Sequence, residues 1–160
     1  MKALLPFPPL AEPAGEILHG VLPWRMARKS GLRILLVGSM DGEWTVPAGA
    51  PVAERASFLS AALHAFEEAG IIGEIDTVPL HGSADADLLV FAMKVRGTLS
   101  HWKRQGERQR RWFSPQEAAG LVRDPALAAA IRAFAGDAGA EDEKGQTRAA
   151  GTPQPAQLSP

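Results

Sequence analysis

Cysteine is absent from the 160-residue sequence, and neither a strong charge imbalance nor a long apolar run is present. Without cysteine there is no disulfide framework and no thiolate metal site, so the redox compartment is left open. The formal net charge of -1 gives no overall attraction to nucleic acid or to an anionic membrane surface. No segment approaches the roughly 18 apolar residues of a membrane-spanning helix. We therefore expect no DNA partner, no membrane partner and, as the default, a cytoplasmic location.

The composition predicts one globular domain between two flanking segments. A hydrophobic content of 46% and a length of 160 residues fit a single domain with its own core. Residues 1–17 are proline-rich and predict a flexible N-terminal arm, whose interrupted apolar stretch fits a signal peptide poorly. Residues 136–160 consist mostly of Ala, Gly, Pro, Gln and charged residues, and predict a disordered tail. The folded domain is then 18–135, with no internal repeat and an oligomeric state that the sequence leaves unknown.

Strand and helix patterns alternate along this domain. Six segments predict strands: 20–27, 32–37, 44–46, 71–78, 88–95 and 110–113. A helix is predicted over 55–69, with Gly70 at its end, and two more begin after Ser114 and Asp124, each of which precedes a proline. Two prolines and a glycine predict a loop over 47–52. This alternation indicates an α/β fold whose sheet is covered on both faces.

The helix predicted in mid-chain has one apolar and one acidic face. Its apolar stripe is predicted to consist of Phe58, Ala62, Ala65, Phe66 and Ala69. On the other side His64, Glu67 and Glu68 lie at i, i+3 and i+4, where neighbouring side chains meet. Carboxylates beside the carbonyl groups of a Pro/Gly loop suit a hard divalent cation such as Mg²⁺, which in turn suits a polyphosphate. The alternative is that Glu67 and Glu68 form a solvated helix end.

A basic region follows between residues 94 and 111. It contains Lys94, Arg96, Lys103, Arg104, Arg108, Arg110 and Arg111, interleaved with His101 and Trp102 and followed by Trp112. Arginine side chains match the geometry of phosphate groups, and aromatic rings stack on bases. The alternative is a solvated loop beside an edge strand whose charges prevent aggregation.

An ordered set of residues, Gly49, Glu67-Glu68, Gly70 and Ile71, matches without gaps the signature of a known family. Three flanking segments match as well: Trp44-Thr45-Val46-Pro47, Leu22-Pro23-Trp24-Arg25 and Arg110-Arg111-Trp112-Phe113-Ser114. The chain resembles the Nudix hydrolase superfamily over roughly residues 20–121, and in particular its diphosphoinositol polyphosphate and diadenosine polyphosphate hydrolases. The resemblance implies an α/β fold of the Nudix type, an α/β/α sandwich with a mixed central sheet.

The resemblance also implies a site. The metal positions fall on His64, Glu67 and Glu68, with Glu67 and Glu68 as the catalytic residues and Mg²⁺ or Mn²⁺ as the cofactor. Arg25, Arg110 and Arg111 fall on positions that bind the phosphate groups of the substrate.

Three signature positions depart from the family pattern. Arg55 and His64 stand where the family has glutamate, and Leu63 stands where it has arginine. One less carboxylate weakens Mg²⁺ binding beside anionic phosphates, and imidazole prefers softer ions. We therefore expect Mn²⁺ or Zn²⁺ to be favoured over Mg²⁺.

Two functions remain open at this point. The first is metal-dependent hydrolysis of a phosphoanhydride bond in a nucleoside- or inositol-diphosphate-linked substrate, which is the reaction of a Nudix-type pyrophosphohydrolase. The second is a catalytically inactive Nudix-fold module that binds a phosphate ligand or another protein. A phosphorylated small molecule is the expected ligand of the enzyme and of the phosphate-binding form of the module.

Overall fold

The computed structural model describes residues 17–80 and 87–151. Ten elements follow in the order β1 (Leu18–Ala27), β2 (Gly31–Gly38), β3 (Trp44–Thr45), β4 (Ala48–Gly49), α1 (Ser57–Ala69), β5 (Ile71–Ile75), β6 (Leu88–Thr98), β7 (Gln109–Phe113), α2 (Pro115–Leu121) and α3 (Pro125–Gly151). Most of the predicted arm and residues 152–160 of the predicted tail lie outside the described residues. The tail was predicted to begin at residue 136, and helix α3 continues beyond that point to Gly151. No helix in the described ranges is both long and apolar enough to cross a membrane.

The strands form one mixed sheet. Its order is β3-β2-β1-β6-β5, and β4 and β7 pair with β1 and β2 respectively. Strands β1 and β6 run parallel, from the pair Leu18–Leu88 to the pair Trp24–Lys94, while the other pairings are antiparallel. The predicted mixed central sheet is confirmed.

Each face of the sheet carries its own apolar core. Successive residues of a strand point to opposite faces, so Val21 and Leu35 contact α1 on one side while Leu22 and Leu36 contact α2 and α3 on the other. The first core includes Ala61, Ala65, Ala69, Phe91 and Met93, and the second includes Ile34, Val90, Ala118, Leu127 and Ile131. The fold is therefore the predicted α/β/α sandwich.

Helix α1 contacts the sheet through small side chains. The alanines at 61, 65 and 69 are fully buried, whereas Phe66 is 46% exposed. The prediction that Phe66 belongs to the buried stripe is therefore wrong. Phe66 lies about 100° around the helix from Ala65, and the alanine row allows the helix backbone to come closer to the sheet than a phenylalanine would. Gly70 ends the helix in a left-handed conformation (φ 63°), as predicted, and its N–H donates to the carbonyl of Phe66 at 3.0 Å.

The segment before α1 differs from its prediction in two details. Two residues of the predicted loop, Ala48 and Gly49, form β4 and pair with Gly20 and His19. The helix begins at Ser57, two residues later than predicted, after Glu54 in a left-handed conformation (φ 62°). A two-residue strand is too short for hydrophobic alternation to reveal it.

Candidate functional site

The loop between β6 and β7, residues 99–108, lies against the C-terminal end of α1, and we call it the capping loop. The last carbonyl groups of a helix have no partner within the helix and need donors from elsewhere. The backbone N–H of Arg104 donates to the carbonyl of Glu67 at 3.1 Å, and the indole N–H of Trp102 donates to that of Glu68 at 3.2 Å. The loop is therefore fixed beside the acidic end of the signature helix.

Arg110, the second residue of β7, completes this cap. Its Nη1 donates to the carbonyls of Ala69 at 2.7 Å and Gly70 at 3.1 Å, and its Nη2 donates to that of Leu99 at 2.6 Å. Its guanidinium also lies 4.0 Å from the ring centroid of Trp102. Burial lowers the pKa of Arg110 below its usual range. The side chain predicted to bind phosphate thus binds two backbone carbonyls at the end of α1 and one in the capping loop.

Side chains of the capping loop neutralise the two glutamates of α1. Arg108 Nε lies 3.1 Å from Oε1 of Glu68, and Arg104 Nε lies 3.2 Å from its Oε2. The Glu68 side chain is only 12% exposed between them. Glu67, which is 30% exposed, faces the Nζ atom of Lys103 at 3.7 Å. Each carboxylate therefore already has a cationic partner.

The imidazole of His64 is directed towards the segment before the helix. Its Nε2 lies 2.6 Å from the carbonyl oxygen of Ala50, so the Pro/Gly loop does fold its backbone against this face of α1. The ring lies over Gly49, and a Cβ atom added to Gly49 would lie 2.4 Å from the nearest ring atoms. His19, the strand partner of Gly49, has a buried Nδ1 with no partner among the described residues. Burial, and then the charge of His64, lower the pKa of His19.

These contacts bear on the metal that the resemblance implies. Within residues 17–80 and 87–151, no group of three or more His, Asp or Glu side chains is arranged to hold a metal ion. The carboxylates of Glu67 and Glu68 contact cationic side chains, and the imidazole of His64 contacts a carbonyl. In this arrangement the residues do not fit a Mg²⁺ or Mn²⁺ site. The assignment of His64, Glu67 and Glu68 as metal ligands and catalytic residues stays a prediction.

A cavity of about 690 Å³ opens beside Glu68. Arg108 and Glu68 contribute one part of its wall, and the ring of Trp44 contributes another. Its apolar residues include Leu18, Leu88 and Leu127, and its charged residues include Glu43, Asp87, Arg123 and Asp124. Within the wall Arg123 pairs with Glu43. Asp87 and Asp124 form no ion pair among the described residues, so the cavity combines an apolar surface with two ion pairs and two further carboxylates.

Comparisons with known proteins agree with this fold. No family model matches the chain. The sequence is 25% identical over 147 residues to "Nudix hydrolase 13, mitochondrial" of Arabidopsis thaliana, which covers 74% of this chain and 73% of that protein. The chain therefore resembles the Nudix superfamily in sequence and in fold. The family resemblance predicted from the sequence is thereby confirmed, while the cytoplasmic location stays a prediction, since this relative is named as mitochondrial.

Two solved structures show how far the Nudix fold is shared. A C. elegans Ap4A hydrolase in a binary complex superposes with a TM-score of 0.57 at 15% identity, over 77% of this chain and 98% of that one. An ADP-ribose pyrophosphatase from Streptococcus suis gives a TM-score of 0.50 at 19% identity, over 71% of this chain and 89% of that one. Both likenesses concern the fold.

The three arginines predicted to bind phosphate do not converge in this structure. Arg111 is the strand partner of Leu36 and shares its face of the sheet, and its guanidinium lies 5.4 Å from the ring centroid of Trp44. Arg25 lies on the opposite face, where it stacks on Trp112 at 4.1 Å. Arg110 caps α1. Their role as a joint phosphate site stays a prediction that this geometry does not favour.

Sequence reasoning placed Arg104 and Arg108 in the basic region without giving them a role. The spacing of four residues between them was the sequence signal that could have indicated a shared partner. A single turn of backbone, with the N–H of Arg108 donating to the carbonyl of Arg104 at 2.9 Å, directs both guanidinium groups to Glu68. Trp44 was noted as part of a flanking match, and its contribution to the cavity wall depends on tertiary structure.

Proposed function

We propose that this protein binds a phosphorylated small molecule of the nucleoside- or inositol-diphosphate-linked class in the cavity beside Glu68. A cavity of about 690 Å³ is within the size range of small-molecule sites. Arg108, which donates to Glu68, lines this cavity, and guanidinium groups match phosphate oxygens in geometry and charge. Trp44 and the leucine side chains supply the apolar wall for the remainder of the ligand.

We propose further that the protein binds this ligand without Mg²⁺-dependent turnover. The observation that carries this step is the pairing of Glu68 with two arginines. Metal-assisted hydrolysis requires a bound cation that neutralises the phosphate charge and activates water. A carboxylate that already contacts two guanidinium groups gains less from a metal ion, because its charge is compensated. The protein is then a Nudix-fold binding module.

Hydrolysis of a phosphoanhydride bond is the second candidate function. It is supported by the names of the relatives, which are hydrolases and a pyrophosphatase. For this reaction Glu67 and Glu68 would have to exchange Lys103, Arg104 and Arg108 for a divalent cation such as Mg²⁺ or Mn²⁺. Binding of an anionic substrate to the released arginines would favour that exchange.

One set of assays separates the two candidates. Binding of diadenosine tetraphosphate, ADP-ribose and a diphosphoinositol phosphate is measured by calorimetry in EDTA, and product release is measured by chromatography with Mg²⁺ and then Mn²⁺. We expect binding of at least one ligand in EDTA and no product with either metal. Product release that Glu68→Gln abolishes would establish the hydrolase instead. Glu74→Gln is the matched control, because Glu74 is an exposed glutamate that also pairs with an arginine.

A further inference from the structure

We infer that Arg108 is a phosphate-binding residue and that Glu68 is the positioning residue that orients it. This inference rests on the proposed binding function and deepens it, because it names the group that recognises phosphate. Glu68 would then act through Arg108 and not through a metal ion.

The hydrogen bonds of Arg108 leave its outer end available. A guanidinium group has five N–H donors, of which Nε supplies one. The Nε of Arg108 donates to Oε1 of Glu68 at 3.1 Å, and its two Nη atoms have no hydrogen-bond partner among the described residues. Because Arg108 lines the cavity and is 36% exposed, the fork formed by its two Nη atoms can reach a ligand there. Two parallel N–H groups are the arrangement that binds a phosphate group in a bidentate manner.

Arg104 has a different position in the same cluster. Its Nε contacts Glu68 at 3.2 Å, and its Nη1 contacts the carboxylate of Glu107. The hydrogen bond and charge of Glu107, and then the charge of Glu68, raise the pKa of Arg104 above its usual value. Burial lowers this pKa, but by less. Arg104 is thus held from both sides and serves to fix Glu68. Arg108 is the member of the pair that lines the cavity, so its remaining donors are the ones that a ligand there would meet.

The position of Glu68 is itself determined by its surroundings. Its side chain is 12% exposed, its carbonyl accepts from the indole of Trp102, and each of its carboxylate oxygens contacts one arginine. A carboxylate held in this way restricts the rotamers of Arg108 and so reduces the entropy lost when phosphate binds. The two arginines are balanced by Glu68 and Glu107, so the Nη donors of Arg108, and not a net positive charge, would recognise phosphate without a divalent cation.

The inference is tested with inorganic pyrophosphate as the probe, on the full chain. Calorimetry in EDTA is expected to show binding that Arg108→Lys weakens by about tenfold or more, because lysine retains the charge and lacks the fork. Glu68→Gln is expected to weaken binding and to change the side-chain Nε resonance of Arg108 in the free protein, an effect that a purely structural role elsewhere would not produce. Arg96→Lys is the control, since Arg96 pairs with Glu74 on the exposed surface and is expected to leave the affinity unchanged.

The outcomes distinguish this inference from the proposed function. Pyrophosphate binding in EDTA that Arg108→Lys leaves unchanged would overturn the role of Arg108 while the binding function stands. Binding that appears only after Mg²⁺ is added would overturn the metal-free recognition. Absence of binding for pyrophosphate and for every ligand of the assay set would overturn the proposed function together with the inference. A titration of the wild-type protein followed by arginine side-chain NMR needs no variant, and unmoved Arg108 resonances at saturation would also overturn the inference.

Discussion

The imidazole of His64 occupies the space where a side chain at Gly49 would begin. A Cβ atom on Gly49 would lie 2.4 Å from both Cε1 and Nδ1 of the ring. We therefore expect Gly49→Ala to displace the ring and to break its contact with the carbonyl of Ala50. The expected loss in the free energy of unfolding is about 1–3 kcal/mol, which is typical of overpacking. Urea unfolding of the two proteins measures it.

The control for this prediction is His64→Ala. In that background the three atoms nearest to the added Cβ are gone, so Gly49→Ala should have a smaller cost, and a double-mutant cycle would give a clear coupling energy. An equal cost of Gly49→Ala in both backgrounds would show that the histidine ring is not the obstacle.

Arg110 is predicted to act on stability. Arg110→Ala removes the donors to the carbonyls of Ala69, Gly70 and Leu99, and we expect it to lower the free energy of unfolding by about 2–3 kcal/mol. Its neighbour Arg111 is exposed, and Arg111→Ala should change stability by no more than about 0.5 kcal/mol. Chemical unfolding of both variants provides the comparison. A stable Arg110→Ala variant with weakened pyrophosphate binding would instead return Arg110 to the phosphate site.

The layered fold could be predicted from the sequence because its signals are local. Gly70 stops α1 in a left-handed conformation, and Ser114, after which a helix was predicted, forms both hydrogen bonds of a capping box with Glu117. Apolar strand patterns likewise identified the buried strands of both cores. Each of these signals involves residues only a few positions apart, so one sequence is enough to reveal them.

The arrangement of charges could not be predicted in the same way. Arg108 meets Glu68 across 40 positions of sequence, and Arg110 meets Ala69 across 41. Which basic side chain reaches the helix depends on how the capping loop folds, and neither composition nor spacing determines it. The sequence therefore identified the basic region without distinguishing the arginine that caps α1 from those that pair with Glu68.

Restoring the signature is predicted to strengthen Mg²⁺ binding. The triple change Arg55→Glu, Leu63→Arg and His64→Glu adds carboxylates at the family's positions and removes an imidazole that contacts a backbone carbonyl. Hard divalent cations prefer carboxylate oxygen ligands, so the Mg²⁺ affinity measured by calorimetry should rise above that of the wild-type protein. Adding Arg108→Gln should raise it further, since Glu68 then loses one competing cation.

The matched control for the triple variant carries the same three changes together with Glu68→Gln. If this control has the same Mg²⁺ affinity as the triple variant, Glu68 is not a ligand of the metal. Unchanged Mg²⁺ affinity in the triple variant would show that the altered positions are not what limits metal binding.

The capping box of α2 predicts an effect of pH on stability. The backbone N–H of Ser114 donates to Oε1 of Glu117 at 3.0 Å, and the N–H of Glu117 donates to Oγ of Ser114 at 3.1 Å. The hydrogen bonds from Ser114 lower the pKa of Glu117 below its ordinary value of 4.5. A carboxylate with a lowered pKa in the folded state contributes stability that is fully present above pH 4.5 and is lost as the pH falls through the folded pKa.

Glu117→Gln should therefore be less stable than the wild-type protein at neutral pH, and the difference should shrink towards zero as the pH is lowered well below the folded pKa. Ser114→Ala is the contrasting variant, because the bond from the N–H of Glu117 to the Ser114 hydroxyl does not need a charge, so a cost of about 0.5–2 kcal/mol should remain at acidic pH. Urea unfolding of the three proteins at neutral and acidic pH measures both effects. A Glu117→Gln difference that stays constant with pH would show that the charge of this carboxylate does not stabilise the helix.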